Sequence, residues 1–362
     1  MTTHGRPGKR EPAADGNATP PAGQGSFFDD APAPVAKRKS KSSTVPAAEH
    51  PPALRELAAS LPGRLYLGTS SWAFSGWNGM VYGAKASESL LSREGLPAYS
   101  SHPLLNSVSL DRTFYAPLTA EQYAHYARQV PAGFRFVVKA PNLITDAVLR
   151  DDRGAPTGPN PSFLDPVLAN DHFVAPCLEG LGDKAGPLVF QFSPLPAEIL
   201  ADPAGWVARL SAFLAALPSL PASRGHERPF YAVEFRDPQV VTPRMMRMLA
   251  EREVRYCVAI HARMPSAERQ MQAVAATGPG PLVVRWSLLA GQRYEAAKAR
   301  FSPFDKIQVE DPVTRRVLAE AARAAHAAGQ PAWIVANNKA EGSAPLTLEL
   351  LAREIAAHRP AG

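Results

Sequence analysis

Cysteine is almost absent from this chain. Two residues in 362, Cys177 and Cys257, lie far apart and have no CxxC or histidine-paired spacing. That excludes a disulfide framework and a cysteine-based metal site, and suits a reducing cytoplasm. Long apolar runs are missing too: no stretch of eighteen apolar residues exists, so no transmembrane helix and no membrane partner is expected. The first residues contain no apolar core of the kind a secretory signal needs. A large excess of either sign of charge is missing as well. A formal net charge of +6 is moderate for this length, permitting an anionic ligand or nucleic acid without requiring either. A hydrophobic content of 45% over 362 residues is enough to build one large domain or two smaller ones.

The first 60 residues stand apart. They carry nine prolines, many Ala, Gly and Ser, and the basic run KRKSK at 37–41. Such a segment buries too little apolar surface to offset its ordering entropy, so residues 1–60 read as a disordered tail preceding a domain at 61–362. Within it, Gln24-Gly25-Ser26-Phe27-Phe28 puts two exposed aromatics in a proline-flanked segment, a pattern typical of docking peptides. Its spacing resembles the bacterial sliding-clamp-binding pentapeptide, which makes Gln24, Phe27 and Phe28 candidate docking residues.

From residue 64 a regular pattern begins. Short β-rich runs occur at 64–72, 105–115, 134–141, 187–194, 231–238, 255–262, 281–289 and 331–338. Helical stretches separate them. Thr119 starts one at 119–130, Asp202-Pro203 opens 203–217, Thr242-Pro243 opens 242–252, Asp311-Pro312 opens 312–328 before Gly329, and 345–358 completes the series. Eight near-continuous apolar strands alternating with helices predict an α/β fold, a (β/α)₈ TIM-type barrel. A doubly wound open sheet is disfavoured because no glycine-rich dinucleotide fingerprint follows the first strand. The Pro-, Gly- and Asp-rich segment 141–163 reads as a long loop after the third strand, of the length often found in lids.

Barrel active sites lie at the C-terminal ends of the strands. Those ends carry Asp111, Lys139, Gln191, Glu234 with Arg236, His261, Arg285 with Trp286, and Asn337 with Asn338. Apolar residues come first and polar ones last in nearly every unit. In YAVEFRDP, Glu234 and Arg236 point the same way because side chains alternate along a strand. Glu234, His261 and Asp111 are the candidate acid–base groups. Lys139, Arg236 and Arg285 favour a carboxylate or phosphate, with Gln191, Trp286, Asn337 and Asn338 as further ligand contacts. Gly342 and Ser343, at the start of the last helix, predict free backbone N–H groups for an anion. No cofactor is expected. A divalent metal is disfavoured because three cations share a His-poor mouth. The structural alternative for Glu234 is an ion pair closing the barrel top.

The stretches LGTSSWAFSGWNGMVYG, FRFVVKAPNLIT, LGDKAGPLVFQFSP, AVEFRDP and NNKAEGSAP occur in this order and resemble the YecE-like family, a domain of unknown function, over about residues 64–356. The resemblance implies a TIM barrel and a cluster falling on Lys139, Gln191, Glu234, Arg236 and Asn337. It implies no activity. Two departures concern the site: Ser109 and Asp111 stand where the family has Glu and Asn, and Ser287 replaces a histidine. Two function classes follow. One is an enzyme acting on a small anionic metabolite by hydrolysis, isomerisation or lyase chemistry. The other is a non-catalytic accessory protein of DNA maintenance, docked on a clamp through its tail and binding a nucleotide-like or nucleic-acid ligand.

Overall fold

The computed structural model describes residues 44–151, 154–221, 227–289, 292 and 294–357. The candidate docking residues Gln24, Phe27 and Phe28 lie outside them. Eight parallel strand positions appear where the apolar runs predict them. They are β1 (Leu65–Thr69), β2 (Ser107–Leu110), β3 (Arg135–Lys139), β4 (Ala185–Gln191), β5 (Phe230–Glu234), β6 (Arg255–Tyr256 and Val258–Ile260), β7 (Leu282–Trp286) and β8 (Ala332–Ala336). Each pairs with its neighbour in sequence, and β8 returns to β1 with Leu65 opposite Ala332.

Closure depends on Cys257. The first part of β6 pairs with β5, the second with β7, and the chain switches partners at that residue. The two ends of the sheet are therefore halves of one strand, which makes the sheet a barrel. Close approach of β1 to β2 requires a glycine: a Cβ on Gly68 would lie 2.3 Å from the Ser107 carbonyl oxygen.

The helices start where their caps predict. Asp202 accepts from the Gly205 N–H ahead of Pro203–Ala216, Thr242 from Met245 ahead of Pro243–Glu251, and Asp311 from Thr314 ahead of Pro312–Ala327. Thr119 and Gln122 form a reciprocal capping box before Ala120–Arg128. Outward strand residues such as Phe136, Val138, Leu188, Phe190, Val284 and Trp286 join the core beneath these helices. Inward residues form a separate plug of Tyr66, Val137, Val189, Phe230, Ala232, Cys257, Val283, Trp333 and Val335. The rings of Tyr66 and Trp333 stack at 4.7 Å inside it. Each such large side chain, once buried, contributes about 1.5–3 kcal/mol, so the lower barrel is a solid apolar floor under the mouth.

Two expectations need correction. Residues 44–60 belong to the folded body: Ala47 bridges Tyr82, and a helix at Pro52–Ser60 buries Leu54 and packs on the final helix, Ala344–Ala357. The segment 141–163 is also no plain loop. A short helix, Asn142–Thr145, leads into an antiparallel pair, Val148–Arg150 with Pro156–Pro159. The Asn160 side chain braces it, donating to the carbonyls of Leu143 and Asp146, each at 2.8 Å.

Candidate functional site at the barrel mouth

The alternation that builds the apolar floor continues upward and becomes polar. Ser109 and Asp111 follow Ser107 on the inner face at β2, Lys139 follows Val137 on β3, and Gln191 follows Val189 on β4. Glu234 follows Ala232 on β5, and Arg285 follows Val283 on β7. These inward positions are the last of their strands or lie just beyond them, so one layer of polar side chains caps the core.

The centre of that layer is Arg285. Its Nη1 donates to Glu234 Oε2 at 2.7 Å and to Gln191 Oε1 at 3.1 Å, while Nη2 donates to Asp111 Oδ2 at 2.6 Å. Arg236 places Nη2 at 2.5 Å from Glu234 Oε1 as an ion pair, and donates from the same nitrogen to Gln191 Oε1 at 3.0 Å. Glu234 is fully buried between the two guanidiniums. Burial alone would raise its carboxyl, but Arg236 and Arg285 prevail and hold it below the ordinary carboxylate value. Asp111 keeps 27% of its side chain exposed and accepts a second bond, at 2.6 Å, from Ser109 Oγ.

Lys139 differs from its neighbours. It is 4% exposed, yet no carboxylate among the described residues lies at ion-pair distance from its ammonium. The ammonium instead sits 3.4 Å from the centroid of the Phe114 ring, a cation–π contact contributing about 2 kcal/mol when desolvated. The Thr113 hydroxyl, on the same short 3₁₀ turn as Phe114, donates to the Lys139 carbonyl and ties that turn to β3. Burial and the nearby Arg285 bring the Lys139 ammonium down to about 7, with Asp111 and Glu234 opposing the shift. His261 lies at the rim, where burial and Arg236 lower it to about 4, so its imidazole is neutral at physiological pH.

Three basic side chains thus share the mouth with two carboxylates, leaving one positive charge when Lys139 is protonated. Two buried donors, Arg236 Nη1 and Arg285 Nε, have no hydrogen-bond partner among the described residues. Both carboxylates are already engaged by guanidiniums, and no group of three His, Cys, Asp or Glu among the described residues could hold a metal.

The structure therefore brings together Asp111, Lys139, Gln191, Glu234, Arg236 and Arg285, with His261 beside them. Asn337 sits on the neighbouring rim, where its Nδ2 donates to Ser70 Oγ at 2.7 Å and joins the ends of β8 and β1. Other expected ligand contacts are elsewhere. Trp286 is fully buried on the outer face of β7, beneath the helices, because it follows the inward-facing Arg285. Asn338 is buried, and its Oδ1 accepts from the Ala344 N–H at 2.8 Å and from Trp77 Nε1 at 3.2 Å. Ser343 is also buried, and the Gly342 N–H donates to the Asn338 carbonyl. The Gly342 and Ala344 N–H groups of the expected anion turn are thus both taken up by Asn338. Trp72 and Trp77 are packing residues, donating to Leu91 O and Asn338 Oδ1.

Sequence reasoning missed Phe114, whose side chain reaches Lys139 from a turn rather than a strand. It also missed Lys339, which burial and Lys298 lower to about 8. Cys257, which the sequence shows only as an isolated thiol, lies with its Sγ 3.9 Å from Glu234 Oε2 beneath the cluster. A separate open cleft of about 680 Å³, lined by Ser75, Asn78, Lys85, Pro303 and Asp305 among others, shares no residue with the cluster.

Solved structures similar to this chain include two DUF72 family proteins. A DUF72 family protein from Enterococcus faecalis V583 superposes with a TM-score of 0.54 at 18% identity, over 80% of this chain and 95% of its own. Another, from Thermotoga maritima MSB8, aligns with a TM-score of 0.49 at 16% identity, over 81% of this chain and 99% of its own. No curated protein matches the chain. The family described as "Protein of unknown function DUF72" matches residues 66–361, nearly the whole barrel, and the chain belongs to that family.

Proposed function

We propose that this protein is an enzyme that binds a small phosphate- or carboxylate-bearing molecule at the C-terminal mouth of its barrel and acts on it by acid–base chemistry. The observation that carries this reading is the buried, carboxylate-free ammonium of Lys139 beside two guanidiniums with unused buried donors. A bound anion would neutralise the excess charge and accept those bonds, and charge-assisted bonds of this kind are roughly twice as strong as neutral ones. Glu234 and Gln191 hold the guanidiniums in place. Asp111 is the partly exposed carboxylate next to the bound molecule, and Lys139 can exchange a proton near neutral pH. His261, being neutral, offers a hydrogen bond rather than a charge.

The test is thermal shift of the full chain against inorganic phosphate, pyruvate and a panel of phosphorylated metabolites, each variant read against its own baseline. An anion should raise the melting temperature of the wild type. In Arg236→Ala the apparent affinity should fall at least about tenfold, the loss of one strong charge-assisted contact. Equal stabilisation of both proteins, or of neither, would remove the mouth from consideration as an anion site.

A further inference from the structure

Resting on that reading of the mouth as an anion site, we propose that Lys139 is an amine nucleophile that forms an imine with the carbonyl carbon of a small aldehyde or ketone whose carboxylate or phosphate is held by Arg236 and Arg285. Four features of the site support it. The Lys139 side chain is nine-tenths buried at the end of β3, inside the mouth rather than on its outer rim. No carboxylate among the described residues is paired with it, so no ion pair has to be broken before its nitrogen can react. Its contact is the face of Phe114, which fixes the position of the side chain, while burial favours the uncharged amine over a solvated ammonium. Guanidiniums stand nearby, the arrangement by which a desolvated lysine next to other cations becomes nucleophilic.

Its ordinary value would leave a lysine almost wholly protonated at pH 7, whereas a group brought down to about 7 is half neutral there. The chemistry then balances without a further reactant. The neutral Nζ adds to the carbonyl carbon, forming a C–N bond while the C=O π pair moves to oxygen. The added nitrogen gives up a proton and the oxygen takes one, Asp111 being the carboxylate placed to carry it. A second proton, taken up from solvent at the mouth, converts that oxygen into water, which leaves as the nitrogen lone pair forms the C=N bond of a protonated imine. Its positive charge replaces that of the ammonium, so Glu234 and Asp111 stabilise it as they would the protonated lysine. An imine of this kind withdraws electrons from the adjacent carbon, the step shared by lyases and isomerases of carbonyl compounds.

The experiment is reductive trapping. The full chain is incubated with glyoxylate, pyruvate or glyceraldehyde 3-phosphate and sodium cyanoborohydride, digested and mapped by mass spectrometry, with binding of each probe followed in parallel by calorimetry. Cyanoborohydride supplies the hydride that reduces C=N to a stable secondary amine. Modification concentrated at Lys139, rising with pH through about 7 and suppressed by inorganic phosphate, is the expected result. In Lys139→Arg that adduct is lost. Because the map locates the adduct in wild-type protein, the inference does not depend on the variant folding. Binding without any adduct at Lys139, or labelling spread evenly over the surface lysines, would overturn the imine while leaving the anion site intact. Neither binding nor adduct would overturn both.

Discussion

Glu234→Gln is expected to cost about 3–5 kcal/mol of stability, the usual penalty for removing one member of a buried ion pair. Glu234 is completely buried, and its two oxygens face different guanidiniums, Arg285 at 2.7 Å and Arg236 at 2.5 Å. The amide keeps the shape but removes the charge that offsets both cations. Arg285 would retain Asp111, while Arg236 would retain only the Gln191 carbonyl. Urea unfolding of wild type, Glu234→Gln and Asp111→Asn checks this. Asp111→Asn should cost distinctly less, because Asp111 is partly solvated and its contribution is screened. A Glu234→Gln protein as stable as wild type would mean that the carboxylate is not the electrostatic keystone of the mouth. Its assignment as a proton-transfer group would then regain ground.

Lys139→Met should act in the opposite direction, stabilising the fold while abolishing anion binding. A buried ammonium without a carboxylate partner is a cost that the native state carries, and methionine fills similar space without it. The pH dependence identifies the cause. In the unfolded chain Lys139 titrates at its ordinary value, about 10.4, whereas in the folded protein it titrates at about 7. Between those values the unfolded chain holds a proton that the native protein lacks, so wild-type stability rises with pH across that window. Below about 7 both states are protonated and the penalty is constant and full. The advantage of Lys139→Met should thus be largest at pH 6, on the order of 4–5 kcal/mol, and fade toward pH 10.5. Loss of the Phe114 contact subtracts from it without changing that trend. A variant less stable than wild type at every pH would show that the ammonium has a strong partner.

Much of this was legible in the sequence, and the exceptions have physical causes. Strand positions follow from short apolar runs bounded by turns, and helix starts from Asp202-Pro203, Thr242-Pro243 and Asp311-Pro312, because caps and proline act locally. The mouth residues on β3, β4, β5 and β7 follow from polar ends on apolar strands. Trp286 was misplaced against the period-two rule itself: Arg285 and Trp286 are adjacent and must face opposite sides. Gly342 and Ser343 misled because a small-residue turn looks the same whether its N–H groups face a ligand or, as for Gly342 and Ala344 here, bond to Asn338. Nothing local marks Cys257 as the point where β6 changes partner, since closure depends on the register of the whole ring. The Phe114–Lys139 contact was equally hidden, because it joins the turn after β2 to the end of β3 through space.

The most direct measurement is the pKa of Lys139 itself, followed by NMR of isotopically methylated lysines in the full chain, with and without saturating inorganic phosphate. A value near 7 in the free protein, moving back up toward the ordinary lysine range when phosphate binds, is the expected result: the anion supplies the counter-charge that the fold withholds. An ordinary lysine value in both conditions, or a low value that phosphate does not move, would contradict an anion site built around Lys139.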